Sequence, residues 1–136
     1  KTTLELAEII KAAYPPKDRY KGKHPARKTF QALRIEVNKE LEILESAVTK
    51  AAYGLKPGGR LAVISFHSLE DRIVKVAFST LENPCICPPT FPVCVCKRVS
   101  RHKVISKKPI LPTDDEINNN RRSRSSKLRI IECITT

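Results

Sequence analysis

The chain has 136 residues, 40% of them hydrophobic and 5% aromatic, with no Met or Trp. That is about one domain, enough to bury roughly two-thirds of its unfolded surface around an aliphatic core. The net charge of +12, from 26 Lys and Arg against 14 Asp and Glu, says nothing of the fold but much about partners, and favours a polyanion. No stretch approaches the roughly 18 apolar residues of a membrane span, and no segment has the order of a signal peptide, so a cytoplasmic location without a membrane partner is expected.

Thr2-Thr3-Leu4-Glu5 can form a capping box that starts a helix running to about Ala13. Tyr14 stands before Pro15-Pro16 and is pushed out of the helical region, and a charged loop follows to about Pro25. From Thr29 to Tyr53 the apolar positions Phe30, Leu33, Val37, Leu41, Leu44, Val48 and Ala52 recur every three or four residues, which predicts one long amphipathic helix. Gly54 and Leu55 supply a left-handed end to it.

After the turn Lys56-Pro57-Gly58-Gly59, residues 60–66 form a short apolar run expected of a strand buried on both faces. Ser68 can cap the next helix with Asp71, and that helix presents Leu69, Ile73, Ala77 and Leu81 to the core before it stops at Asn83-Pro84. Residues 83–102 are a proline-rich, cysteine-rich loop. Val104-Ile105 and Leu128 to Ile134 read as two more short strands, joined by a long polar connection. One buried parallel strand cannot stand alone, so the order reads as the C-terminal portion of a larger α/β protein. Only four glycines occur, and they form neither a G-x-G-x-x-G nor a P-loop.

Three basic clusters carry the excess charge. The first holds Lys17, Arg19, Lys21, Lys23, Arg27 and Lys28, the second Lys97, Arg98, Arg101, Lys103, Lys107 and Lys108, the third Arg121, Arg122, Arg124, Lys127 and Arg129. Basic segments that alternate with ordinary helices fit a nucleic-acid surface, against the plainer reading of solvated loops. His24, Arg27, Lys28, Gln31 and Arg34 gather at the start of the long helix, and Arg27, Gln31 and Arg34 share a face, a fit for RNA phosphates at a helix N-terminus. Arg122, Arg124 and Lys127 are further candidates for phosphate contacts, or else belong to a loop with internal ion pairs. Cys85, Cys87, Cys94 and Cys96 form C-x-C, six residues, C-x-C. They read as a structural zinc site, as packed free thiols, or as redox pairs, although alternate cysteines strain simultaneous ligation. Cys133 reads as a core residue.

The passages "HPARKTFQALRIEVNKEL" (24–41), "GGRLAVISFHSLEDRIVK" (58–75), "CICPPTFPVCVC" (85–96) and "NNRRSRSSKLRI" (119–130) resemble, in this order, the signatures of the RsmH (MraW) family, which makes N4-methylcytidine in small-subunit ribosomal RNA. One departure is Arg121, where many members have Pro. The resemblance implies a Rossmann-like class I methyltransferase sheet, of which this chain is the C-terminal portion. Residues 1–45 would end a helical RNA-binding insertion, and residues 46–136 would supply the last part of the sheet domain, with the cysteine-rich loop 83–102. It also implies S-adenosylmethionine as cofactor, bound mainly by the upstream half and by no assigned residue of this chain. The partner would be small-subunit ribosomal RNA or the assembled small subunit.

Transfer to the exocyclic N4 of cytosine needs the amine aligned with the sulfonium methyl and relieved of a proton. In this chain His67 and Ser68, at the carboxyl end of strand 60–66, are placed best for that work by topology. The alternative for them is a helix cap and local packing. Alone, the chain is expected to be inactive, and its uncovered strand edges allow it to pair with itself as a homodimer that need not be physiological. The rival function is a non-catalytic RNA- or ribosome-binding module; a small zinc-binding regulator rests on the cysteine loop alone.

Overall fold

The computed structural model describes residues 2–19, 22, 24–88 and 90–135. The chain divides into two compact units, residues 1–40 and 41–136. In the first, helix α1 (Thr3–Ala13) starts with the predicted capping box, Thr2 accepting from the Glu5 N–H and the Glu5 carboxylate accepting from the Thr2 N–H. It stops at Tyr14, whose ψ of 146° is the extended conformation demanded before a proline. Helix α2 spans Arg27–Asn38.

The predicted single helix is interrupted. Lys39 adopts a left-handed conformation with φ 52°, and helix α3 begins afresh at Glu40, running to Tyr53. Arg34 reaches across the break to Glu40, with Nε 2.9 Å and Nη2 3.0 Å from its two oxygens. Residues six apart do not face each other on a straight helix, so this fork belongs to the kinked backbone. The apolar period could not reveal the break, since it passes through Asn38-Lys39 without losing phase.

The second unit carries a three-stranded sheet in the order β1-β3-β2, with β1 Arg60–Ser65, β2 His102–Val104 and β3 Lys127–Cys133. β3 lies antiparallel to both neighbours, in the register Val63↔Arg129 on one side and Val104↔Ile131 on the other; β1 and β2 therefore run the same way. Helix α4 (Ser68–Glu82) follows β1. A short helix α5 (Asp114–Asn119) and a 3-10 turn (Arg121–Ser125) precede β3.

The turn into β1 is type II. Pro57 holds its first corner, Gly58 its second with φ +78°, and the Gly59 N–H donates to the Lys56 carbonyl at 2.8 Å. A Cβ on Gly59 would stand 2.8 Å from that same carbonyl oxygen, so only glycine fits there. Gly54 is not the left-handed residue the sequence suggested; positive φ among the glycines occurs at Gly22 and Gly58.

The core lies on one face of the sheet. Val48 and Ala52 of α3, Val74, Ala77, Phe78 and Leu81 of α4, and Ile131 of β3 form one buried cluster, with Leu61, Val63 and Val104 packed against it. Leu69, expected in this core, is 46% exposed, and its place is taken by Val74 and Phe78. The buried stripe of α4 runs through Val74, Ala77, Phe78 and Leu81. His102 is buried, its Nε2 2.9 Å from the Ala52 carbonyl and its ring edge-on to Tyr53 at 5.7 Å. Nor is β1 buried on both faces: Ile64 is 59% exposed, on the side of the sheet that also carries Ala62, Leu128 and Ile130. No helix among the described residues is long and apolar enough to cross a membrane.

Candidate functional site

All five residues singled out at the start of the long helix line one open cleft in the first unit. His24, Arg27, Lys28, Gln31 and Arg34 surround it, with Ala7, Tyr14 and Phe30. Local chemistry explains the gathering. The Ala26 N–H donates to His24 Nδ1 at 3.2 Å and the Arg27 N–H to the His24 carbonyl at 3.1 Å, which fixes the entry into α2. No side chain caps that helix and no acid stands in its first turn. Its positive end is therefore met by Arg27 and Lys28, two exposed cations that make no ion pair among the described residues. Asp18 also lines the cleft, but a helix N-terminus next to two cations is suited to a phosphate.

Not every predicted cation is free for such use. Arg34 is committed to Glu40 while lining the cleft. Arg19 turns back to α1, its Nε 2.8 Å from the Tyr14 carbonyl and its Nη2 2.8 Å from that of Ala12, so it closes the C-terminal end of that helix. Lys21 and Lys23 lie outside the described residues. Phe30, read as core, is half-buried on the cleft wall.

At the carboxyl end of β1 the cap is His67, not Ser68. His67 Nδ1 accepts from the Glu70 N–H at 3.3 Å, and Glu70 Oε2 accepts from the N–H groups of Phe66 (2.8 Å) and His67 (3.2 Å). Histidine here plays the part usually taken by Ser, Thr, Asn or Asp in a capping box, with its partner again three residues on. The buried His67 Nε2 lies 3.1 Å from Glu70 Oε1 without the alignment of a hydrogen bond. Ser68 and Phe66 are exposed beside it.

Behind this turn Asp71 and Arg129 form a bidentate pair, Nε to Oδ1 at 2.7 Å and Nη2 to Oδ2 at 3.2 Å, with Lys127 Nζ 3.5 Å from Oδ2. The Arg129 hydrogen bonds hold the Asp71 carboxyl below its ordinary range, against the opposing effect of burial. Of the third cluster, then, Arg129 is structural and Lys127 half-buried, while Arg121, Arg122 and Arg124 are exposed on the 3-10 turn. The second cluster is exposed throughout. Sequence reasoning missed α5, although Thr113-Asp-Asp-Glu116 is a capping box in plain view, both of its reciprocal bonds being made.

The four loop cysteines come together. Their sulfur atoms all lie within 4.8 Å of one another, and none is in a disulfide. The Arg98 and Ile86 N–H groups draw the Cys96 thiol down to about 6, and hydrogen bonding with Cys96 pushes the Cys94 thiol up to about 11. Cys133 is buried in β3, as predicted.

A mixed α/β chain with a basic cleft and a capped turn at the end of its first strand matches, over residues 1–134, a family of methylases. The chain belongs to the MraW methylase family. It is 58% identical over 133 residues to ribosomal RNA small subunit methyltransferase H of Lachnospira eligens, covering 98% of this chain and 42% of that protein. The proteins of the same name from Fusobacterium nucleatum (58% over 132 residues, 97% and 41%) and Halothermothrix orenii (55% over 132 residues, 97% and 42%) are similar to the same extent. The chain thus spans about two-fifths of the length of these curated relatives.

Proposed function

We propose that this chain is the C-terminal part of a cytoplasmic, S-adenosylmethionine-dependent methyltransferase that modifies N4 of a cytidine in small-subunit ribosomal RNA. The observation that carries the reading is 55–58% identity, over almost the whole chain, to relatives named as methyltransferases of that RNA. The sheet order supports it, because a last strand inserted antiparallel between two strands of common direction suits the closing end of a Rossmann-like class I sheet. The remainder of the full-length protein would pair along the free edge of β1 and cover the apolar side chains around Ile64. Residues 1–45 would complete a helical RNA-holding insertion and residues 46–136 the sheet domain.

S-adenosylmethionine, when bound, supplies an electrophilic methyl group. The cleft of the first unit is lined by Arg27, Lys28 and Arg34, a poor setting for a sulfonium cation, so no residue of this chain is assigned to the cofactor.

What the chain's own residues do is hold the nucleic acid. Arg27 and Lys28 at the N-terminus of α2, with His24 and Gln31 beside them, would grip phosphates, and Arg122, Arg124 and Lys127 would add a second point of attachment. Both fix the strand so that one cytosine can leave its stack. Ser68, exposed where β1 delivers the chain, would meet the flipped base, while His67 would act as a positioning residue by holding the turn through Glu70.

The test is methyl transfer from labelled S-adenosylmethionine to small ribosomal subunits, with the modified nucleoside identified by mass. N4-methylcytidine made by the full-length protein and not by this chain alone is the expected result. Binding to the subunit without methylation by either would overturn it in favour of a non-catalytic RNA-binding module.

A further inference from the structure

We propose that Cys85, Cys87, Cys94 and Cys96 hold one zinc ion in a closed, structural site in the loop between α4 and β2. This is independent of the RNA methylation proposed above. Four thiolates about 2.3 Å from a central zinc stand about 3.8 Å apart at the corners of a tetrahedron. The recorded separations are 3.4 Å for Cys94–Cys96, 3.6 Å for Cys85–Cys94, and 3.8 Å for both Cys87–Cys94 and Cys85–Cys96. Both sulfurs of each C-x-C pair lie in the one cluster, within 4.8 Å of the other pair. Two disulfides would sort the sulfurs into couples about 2.05 Å apart. Here Cys94 has three sulfur neighbours at similar distances and no couple stands aside.

The rest of the loop has nothing else to fold around. No described residue from 83 to 101 is buried, and Ile86, Phe91, Val93, Val95 and Val99 are each more than half exposed. A connection of this length, without a core or secondary structure, has no apolar burial to offset its ordering entropy. In small metal sites the binding free energy takes that place. Backbone donors complete the setting. The Val95 N–H donates to Cys87 Sγ at 3.4 Å, and the chain turns through the left-handed Lys97 (φ 52°) directly after Cys96. Such donors orient thiolate ligands and spread their charge. Soft sulfur ligands select zinc over magnesium or calcium, and four protein ligands leave no position open for catalysis. The surplus negative charge of a four-thiolate site is matched by exposed Lys97, Arg98 and Arg101 close by in the chain.

The full-length protein, purified without chelator and under reducing conditions, is expected to carry one zinc per chain by elemental mass spectrometry. Thiol modification should release it, Cys85→Ser/Cys94→Ser should abolish it, and Cys133→Ser, outside the cluster, should leave it in place. Because cysteine variants can fail to fold, cobalt is exchanged into the unaltered protein as a second measure; visible bands of tetrahedral thiolate-bound cobalt are expected. Zinc far below one per chain after refilling with zinc salt, zinc retained by the double variant, or disulfides among the four cysteines in the reduced preparation would overturn the proposal.

Discussion

Asp71 and Arg129 illustrate how much a single pair can decide. Arg129 is 6% exposed on β3, and its guanidinium is matched by two oxygens of one carboxylate. Removing the carboxylate strands a buried cation, which costs about 3 kcal/mol or more. Asp71→Asn in the full-length protein should therefore lower stability by about that amount in denaturant titration, while Arg124→Ala, on the exposed 3-10 turn, should change it little. The pH dependence follows from the depressed carboxyl. A folded-state value below the ordinary 3.8 means that the stabilisation is present above that value and is lost as pH falls through the lower, folded one. The gap between the parent and Asp71→Asn should be full at neutral pH and shrink only in acid below about pH 4; a gap constant down to strong acid would refute the assignment. In the string "RRSRSSKLR" the arginines read from sequence either as RNA cations or as members of internal ion pairs, and only the distance to Asp71 shows that the last one is internal.

Among the elements, α4 depends on the unusual cap at His67. Loss of an N-cap costs about 1 kcal/mol, so His67→Ala should destabilise by that amount, whereas His67→Asn, which keeps a capping acceptor, should stay close to the parent in thermal unfolding. Turnover measured on the same two variants separates positioning from direct catalysis. If holding the turn is the whole role of His67, His67→Asn should retain most of the activity; a large loss in that stable variant would place the imidazole itself at the reacting atoms. Both the helix and the need for a cap were legible in the sequence, but the residue was misassigned by one, because Ser68 is the better capping residue by type and Asp71 stands three after it. The choice fell to the exact point where β1 releases the chain. At Lys39 the sequence misled in the other direction, since an unbroken apolar period crosses a real break that Arg34 and Glu40 bridge.

For the molecule as a whole, the net charge of +12 concentrates in segments that remain largely exposed. Binding to RNA should weaken steeply with salt, and the double variant Arg27→Ala/Lys28→Ala should reduce the slope of log affinity against log salt by about 2 for phosphates held by these two cations. An unchanged slope would remove the cleft from the RNA surface. Exposed apolar residues point to an unfinished core: Val37 is 79% and Phe66 55% exposed, and neither belongs to the buried cluster. They sit where periodicity and strand pattern predict interior, and the curated relatives are more than twice as long as this chain.

By itself the sequence determined the helix cap at Thr2, the strand and helix that follow Gly59, the basic cleft residues and the four-cysteine pattern, because each depends on spacing within a few consecutive residues. Only the tertiary structure decided that the long helix breaks at Lys39, that Arg129 is spent on Asp71 and Arg34 on Glu40, that β1 has one open face, and that four sulfurs converge on one centre. Those outcomes depend on which distant groups meet in space, and charge, type and period carry no information about the partner.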